Sequence, residues 1–330
     1  MALFGKKKGN GSGGAKTKIF FCTDVHGSTV CFKKFINAAG VYGADTLILG
    51  GDITGKMVVP ISRQPGGGYL TSFAGEELRF TGEDEVRDFV KRTTNMGFYP
   101  KVMEEEEFQS IRASQEGQDA LFLELIRDRL EEWMEFAEKK LDGTAIRAFA
   151  APGNDDLFEV DEILERSDSI ELLEMRVHRI SDEYEIVTSG WTNKTPWDTE
   201  RETTEEELAQ RIDGMLGQVQ DMERCIFNLH VPPYNSKIDV CPKLDADMRV
   251  VYSMGNPVMA PAGSTAVRDA VERHQPMLGL HGHIHEGRGE AQIGRTLCLN
   301  PGSVYSEGIL NGALITLQDG RVRDFQFTQG

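Results

Sequence analysis

Residues 18–26 read KIFFCTDVH, an apolar run that stops on two polar side chains, Asp24 and His26. Ile19 to Cys22 contain no polar residue, which predicts a strand covered on both faces. Helical spacing follows at Phe32, Phe35, Ile36 and Ala39, with Ser28 as the N-cap and Gly40 as the stop. A second apolar run, TLILGGD at 46–52, comes directly after it. The opening therefore reads β-α-β with two parallel strands, and the fold class is α/β.

The same signature, an apolar run ending on a polar loop, recurs along the chain. It appears in AIRAFAAPGNDD (145–156), RCIFNLH (224–230) and MLGLHGHIH (277–285). Thr204 to Glu207 form a capping box that opens a helix expected to reach about Met222, and a short helix is expected from Ser264 to Arg273. The terminal runs GALITL and RVRDFQF suggest a hairpin closed around Gln318-Asp319-Gly320. No internal repeat is visible.

Between the second and third runs, residues 57–141 break the pattern. They hold a Gly-rich stretch (RQPGGGY), the acidic run Glu104 to Glu107, and a stripe of Phe122, Ile126, Leu130, Trp133, Ala137 and Leu141 at helical spacing. This segment reads as an inserted helical cap within one domain spanning 17–330, expected beside the polar loops and restricting which leaving groups reach them. The acidic run reads as a solvated face. Residues 1–16, rich in Gly and Lys, read as a flexible tail.

The chain of 330 residues has 39% hydrophobic and 27% charged residues, as expected of a globular protein. Its formal charge of −17 repels long nucleic acids, although two divalent cations at one site would reverse the local sign for a phosphate. Five scattered cysteines, Cys22, Cys31, Cys225, Cys241 and Cys298, form no C-x-x-C pair and read as reduced thiols. No stretch has the length and apolarity of a signal peptide or membrane span, so a cytoplasmic protein without membrane contact is expected. The oligomeric state is not legible.

The polar clusters Asp24-Val25-His26, Gly51-Asp52, Gly153-Asn154, His230 and Gly282-His283-Ile284-His285 all sit where strands end. Ligands of α/β sheets gather outside the carboxyl ends of the strands, so these loops are expected to converge on one rim. Imidazoles and carboxylates without cysteine suit a hydrolytic rather than a structural metal site. A carboxylate can bridge two cations and Asp52 is the candidate bridge. Thr54 reads as a turn residue.

The ordered set D-x-H, GD, GN, H and G-H-x-H, spanning Asp24 to His285, resembles the calcineurin-like metallophosphoesterase superfamily. The resemblance implies an αββα sandwich of two mixed sheets. It implies one metal held by Asp24, His26, Asp52 and His285, and a second held by Asp52, Asn154, His230 and His283. Two divalent ions, manganese first and iron, zinc or nickel as alternatives, are the implied cofactors. Asn300 to Ser303, NPGS, resembles a structural turn of the phosphodiesterase-like branch.

Many catalytic members carry His directly after the motif Asn, where this chain has Asp155. An ionised Asp is a poor acid and repels phosphate unless burial raises its pKa, so Asp155 and His281, which adjoins the His283 and His285 pair, are both candidates for the leaving-group acid. Arg288 and Arg268 are the candidate phosphate-binding cations. The resulting expectation is a phosphodiesterase acting on a small phosphoester, nucleotides among the options. The alternatives are a catalytically silent interaction module, a phosphomonoesterase and a protein phosphatase.

Overall fold

The computed structural model describes residues 16–330, so the tail expected at 1–16 lies outside the described residues apart from Lys16. Two six-stranded sheets form the body. In the first the order is Arg321–Gln329, Asn311–Gln318, Thr17–Cys22, Thr46–Leu49, Arg147–Ala150 and Glu171–Leu172. In the second it is Gly289–Ile293, Thr296–Asn300, Leu278–Leu280, Cys225–Leu229, Glu185–Ser189 and Arg176–Arg179. Inner strands pair in parallel, as in Ile19 opposite Thr46 and Ile226 opposite Leu278, and antiparallel strands close both edges of the second sheet and one edge of the first, whose other edge, Glu171–Leu172, is parallel. Both sheets are mixed.

Alternation along each strand decides the layers. Ile19, Phe21, Ile48 and Phe149 of the first sheet pack against Ile186, Ile226, Leu278, Leu280 and Leu299 of the second. Phe20, Cys22, Leu47 and Leu49 point the other way, onto the helices Thr29–Tyr42 and Gln115–Leu141. Val187, Phe227 and Cys298 meet the helices Glu205–Leu216 and Thr265–His274 on the far side. The chain is an αββα sandwich.

Several elements differ in detail from the sequence reading. The helix expected to stop at Gly40 runs on to Tyr42 and closes at Gly43, whose φ is 63°. Stacking of Tyr42 on Phe20, with ring centroids 5.4 Å apart, secures the extra turn that a mid-helix glycine weakens. The helix opened by Thr204 ends at Leu216, short of Met222, with Gly217 after it. The terminal hairpin does close on Asp319 and Gly320, both at positive φ.

The 57–141 segment holds more than helices. Its strands Val58–Arg63, Tyr69–Phe73, Glu76–Phe80 and Tyr99–Glu104 form a separate four-stranded sheet beside the helix Glu83–Asn95, around Val59, Ile61, Val86 and Phe89. The expected stripe on the long helix is buried from Ile126 to Leu141, but against the sandwich: Trp133 stacks on Phe32 at 4.3 Å and its indole N–H donates to Thr29 Oγ1 at 3.1 Å. That helix is part of the first sheet's outer layer.

Candidate metal centre

The loops leaving the Thr17–Cys22 and Thr46–Leu49 strands run side by side. Backbone N–H groups of Asp24, His26 and Gly27 donate to the carbonyls of Gly51, Asp52 and Ile53 at 2.8–3.0 Å. Asp156, two residues past the motif Asn, clamps the next loop to them: its carboxylate accepts the N–H of Ile53, Thr54 and Gly153 and the Thr54 hydroxyl, at 2.6–2.9 Å. NPGS holds the fourth side. Asn300 Nδ2 donates to the carbonyls of Ile238, Gly282 and Ile284, and Ser303 Oγ donates to the Asp24 carbonyl at 2.7 Å.

These clamps hold backbone that L side chains disfavour. Asp24, His26, Asp52 and His283 have φ of 55°, 39°, 49° and 63°, and each such residue costs on the order of 1–3 kcal/mol. The glycine before Asn154 is required by contact: a Cβ on Gly153 would lie 2.1 Å from Asp52 Oδ1.

The motif residues form two donor groups: Asp24, His26 and His285 bring ligand atoms within 4.8 Å of one another, and so do Asp52, His230 and His283; His26, Asp52 and Asp155 make a third, overlapping set. Asn154 joins the second group, its Oδ1 lying 2.7 Å from His283 Nδ1 while its amide nitrogen donates to Thr199 Oγ1 at 2.8 Å. Asp52 stands between them. Its Oδ2 is 3.5 Å from His26 Nε2 and 3.3 Å from His230 Nε2, and its Oδ1 accepts the Asp155 N–H at 3.0 Å.

The donor set fits metal ions. His26 Nδ1 and both ring nitrogens of His230 are buried with no hydrogen-bond partner. His26 Nε2 faces His285 Nε2 at 3.1 Å, a distance one N–H can bridge and also close to the edge expected for two nitrogens each about 2.1 Å from one cation. Burial holds the His26 imidazole down at about 3 and that of His283 at about 4, so both are neutral and have a lone pair to give. Burial also disfavours charge on His230, but the carboxylates of Asp52, Asp24 and Asp156 outweigh it and raise that ring to about 9.

His283, His285 and Asp155 are only partly buried and mark the open side. Lys56, which the sequence reading passed over, reaches in from there and pairs with Asp155. Burial, then the charge of Asp52, pushes the Asp155 carboxyl up to about 6. The Tyr305 ring completes this side, 4.6 Å from that of His26.

The other candidates lie elsewhere. His281 is buried one position after the Leu278–Leu280 strand, with Nδ1 2.7 Å from the Leu229 carbonyl. Alternation turns it to the outer face of the sheet, where its Nε2 lies 2.7 Å from a Cβ built on Gly279. Arg288 donates to Asn311 Oδ1 at 3.0 Å and lies over the Phe327 ring. Arg268 is engaged by Glu272 at 2.5 Å on its own helix. Sequence proximity to a motif does not fix where a long side chain points, and Lys56 is the cation brought to the rim.

Glu174 is buried below this region. Its Oε2 accepts the Gly190 N–H at 2.8 Å, its Oε1 has no partner, and burial raises its carboxyl to about 7. Because the folded pKa exceeds the unfolded one of about 4.5, the group contributes most stability below pH 4.5 and loses it as pH rises through 7. Glu174→Gln is therefore expected to match the parent near pH 4.5 and to exceed it by about 1–3 kcal/mol at pH 8. Urea unfolding at both pH values checks this; equal stabilities at pH 8 would show that the carboxylate is solvated.

No family model matches the chain. An uncharacterized protein of Methanocaldococcus jannaschii is 30% identical over 159 residues, covering 47% of this chain and 64% of that protein's length. One crystal structure superposes with a TM-score of 0.55 at 13% identity, over 96% of this chain and 99% of the other. The crystal structure of TT1561 of Thermus thermophilus gives 0.51 at 14% identity, over 95% and 99%. These structural likenesses show a shared fold.

Proposed function

We propose that this chain is a metal-dependent phosphoester hydrolase with a dinuclear centre, related to the calcineurin-like metallophosphoesterases and acting on phosphodiesters. The observation that carries the reading is Asp52 Oδ2, set 3.5 Å from His26 and 3.3 Å from His230, one imidazole from each donor group. One cation would be held by Asp24, His26, Asp52 and His285, the other by Asp52, Asn154, His230 and His283. Manganese is the first choice. Bound there, two dications would supply Lewis-acid polarisation of the phosphoryl group and an activated water.

The protein's own side chains have separate tasks. The Asp155 N–H holds the Asp52 carboxylate, Asp156 holds the loop after it by the N–H groups of Ile53 and Thr54, and Thr199 fixes which end of the Asn154 amide faces inward. Lys56 gives the open side a positive charge that can engage a phosphate oxygen in an otherwise acidic protein. Asp155 stands on the open side between Asp52 and Lys56, whereas His281 is turned to the outer face of its sheet, and we assign Asp155 the acid role in place of His281. The preference for diesters rests on the G-H-x-H element and on Asp155 standing where many relatives carry His. The reading includes a cytoplasmic location, in keeping with five free thiols. Among the described residues no helix is long and apolar enough to cross a membrane.

The test is a hydrolysis panel of aryl phosphodiesters, aryl phosphomonoesters and nucleotides. Metal-stripped protein would be assayed with Mn²⁺, Ni²⁺, Fe²⁺, Zn²⁺ or Mg²⁺ restored, alongside Asp155→Asn. Diesters should be turned over fastest with Mn²⁺, and Asp155→Asn should lose most on poor leaving groups, within the 10²–10⁴-fold range of general acids, roughly. Bound metal without hydrolysis of any ester would favour the interaction module instead.

A further inference from the structure

The helix Glu105–Arg112 has no buried residue, yet it carries Phe108 and Ile111, both half-buried. These side chains, with Met57, Leu121 and Phe122, line a cavity of about 470 Å³ between the small sheet and the start of the long helix. That volume lies in the roughly 300–1,000 Å³ range of small-molecule sites, and the walls are mainly apolar, with Arg112, Gln115, Gln118 and Asp119 also lining the space. Lys56 also lines this cavity, and its ammonium is paired with Asp155 at the rim of the metal centre. One residue thus belongs to both.

The connection is built into the backbone as well. The Gly55 N–H donates to Tyr99 Oη at 3.0 Å, and a Cβ on Gly55 would lie 1.9 Å from the Gly97 carbonyl oxygen. Tyr99 in turn meets the Phe122 ring edge-on, with centroids 5.7 Å apart. The loop that follows Asp52 is therefore docked on the cavity wall, and the cation at the junction faces phosphate chemistry on one side and apolar surface on the other.

We infer that this cavity takes the apolar alkyl or aryl group of the phosphoester whose phosphorus sits at the metal rim. The inference rests on the hydrolase reading above and adds its substrate class: esters of apolar alcohols, bound with the phosphate beyond Lys56 and the chain along Phe108, Ile111 and Leu121. Nucleotides, whose organic part is polar, would use it poorly.

The experiment compares binding of methyl-, butyl- and octylphosphonate to the manganese-loaded full chain by calorimetry, in the parent and in Ile111→Trp, which narrows the cavity. Turnover of aryl diesters carrying the same alkyl chains is followed in parallel. Each buried methylene should tighten binding about threefold to fourfold in the parent. The octyl-to-methyl affinity ratio should fall at least tenfold in Ile111→Trp, which sits on a helix with no buried residue. A chain-length gain lost in the variant, but with no ester hydrolysed, would keep the cavity and remove the hydrolase reading. Hydrolysis with no dependence on chain length, no phosphonate binding, or a ratio unchanged by Ile111→Trp would overturn the inference.

Discussion

Replacing Asp52 by Asn is expected to lower phosphoester turnover by more than about 100-fold, the upper end of losses from residues that merely support a metal ligand, and to remove metal from both donor groups together. The reason is positional. Asp52 Oδ2 lies 3.5 Å from His26 Nε2 and 3.3 Å from His230 Nε2, so one side chain serves both groups. The amide keeps an oxygen to accept the Asp155 N–H, now bound at 3.0 Å, and the loop should remain folded. What is lost is the negative charge that two adjacent dications require. Metal content and turnover should be measured on the same preparation. Two ions retained at a near-normal rate would move the bridging role to another residue.

The second large effect is expected from Gly51→Ala. Gly51 has φ of 146°, and a Cβ there would lie 2.1 Å from His230 Nδ1 and 2.6 Å from Cε1. The methyl group cannot coexist with the imidazole in its present position. Backbone strain of about 1–3 kcal/mol and overpacking of about 1–3 kcal/mol should together cost about 2–6 kcal/mol of stability. His230 must also move, so metal binding should fall with it. Gly67→Ala is the control, because Gly67 has φ of 90° and nothing within 4 Å of the added Cβ; it isolates the strain. Urea unfolding of both variants checks the difference. Equal losses would show that the His230 ring yields without cost.

How much of this was legible in the sequence follows from the range of each interaction. The unbroken apolar run from Ile19 to Cys22 is local and marks a strand covered on both faces, but which side each residue takes, Ile19 and Phe21 against Phe20 and Cys22, shows only in the structure. The sandwich was legible only through the resemblance of the ordered motif set. The strand-end clusters were legible because they are local: Asp24, Asp52, Asn154, His230 and the two G-H-x-H histidines each follow an apolar run. Which loops are clamped together was not legible. Asp156 acts on Thr54 across 102 positions, and nothing near Asp156 in sequence announces its four hydrogen bonds.

Direction was the other hidden quantity. His281 and Arg288 flank the same motif, yet alternation turns the first away and Asn311 captures the second, while Lys56 reaches Asp155 on the open side. The small sheet was hidden because its pattern is uneven: Val58–Arg63 and Tyr99–Glu104 carry a proline each, which argues against a strand interior. Glu76–Phe80 has no buried residue at all, so its pattern offers no apolar face to read.

The most direct test of the dinuclear centre is anomalous X-ray scattering from crystals of the protein loaded with manganese. Two peaks are predicted, about 3.5–4 Å apart as in known two-metal sites, with Asp52 between them. One should lie on the His26 and His285 side and the other on the His230 and His283 side. A single peak, or two peaks of which neither touches Asp52, would contradict the account.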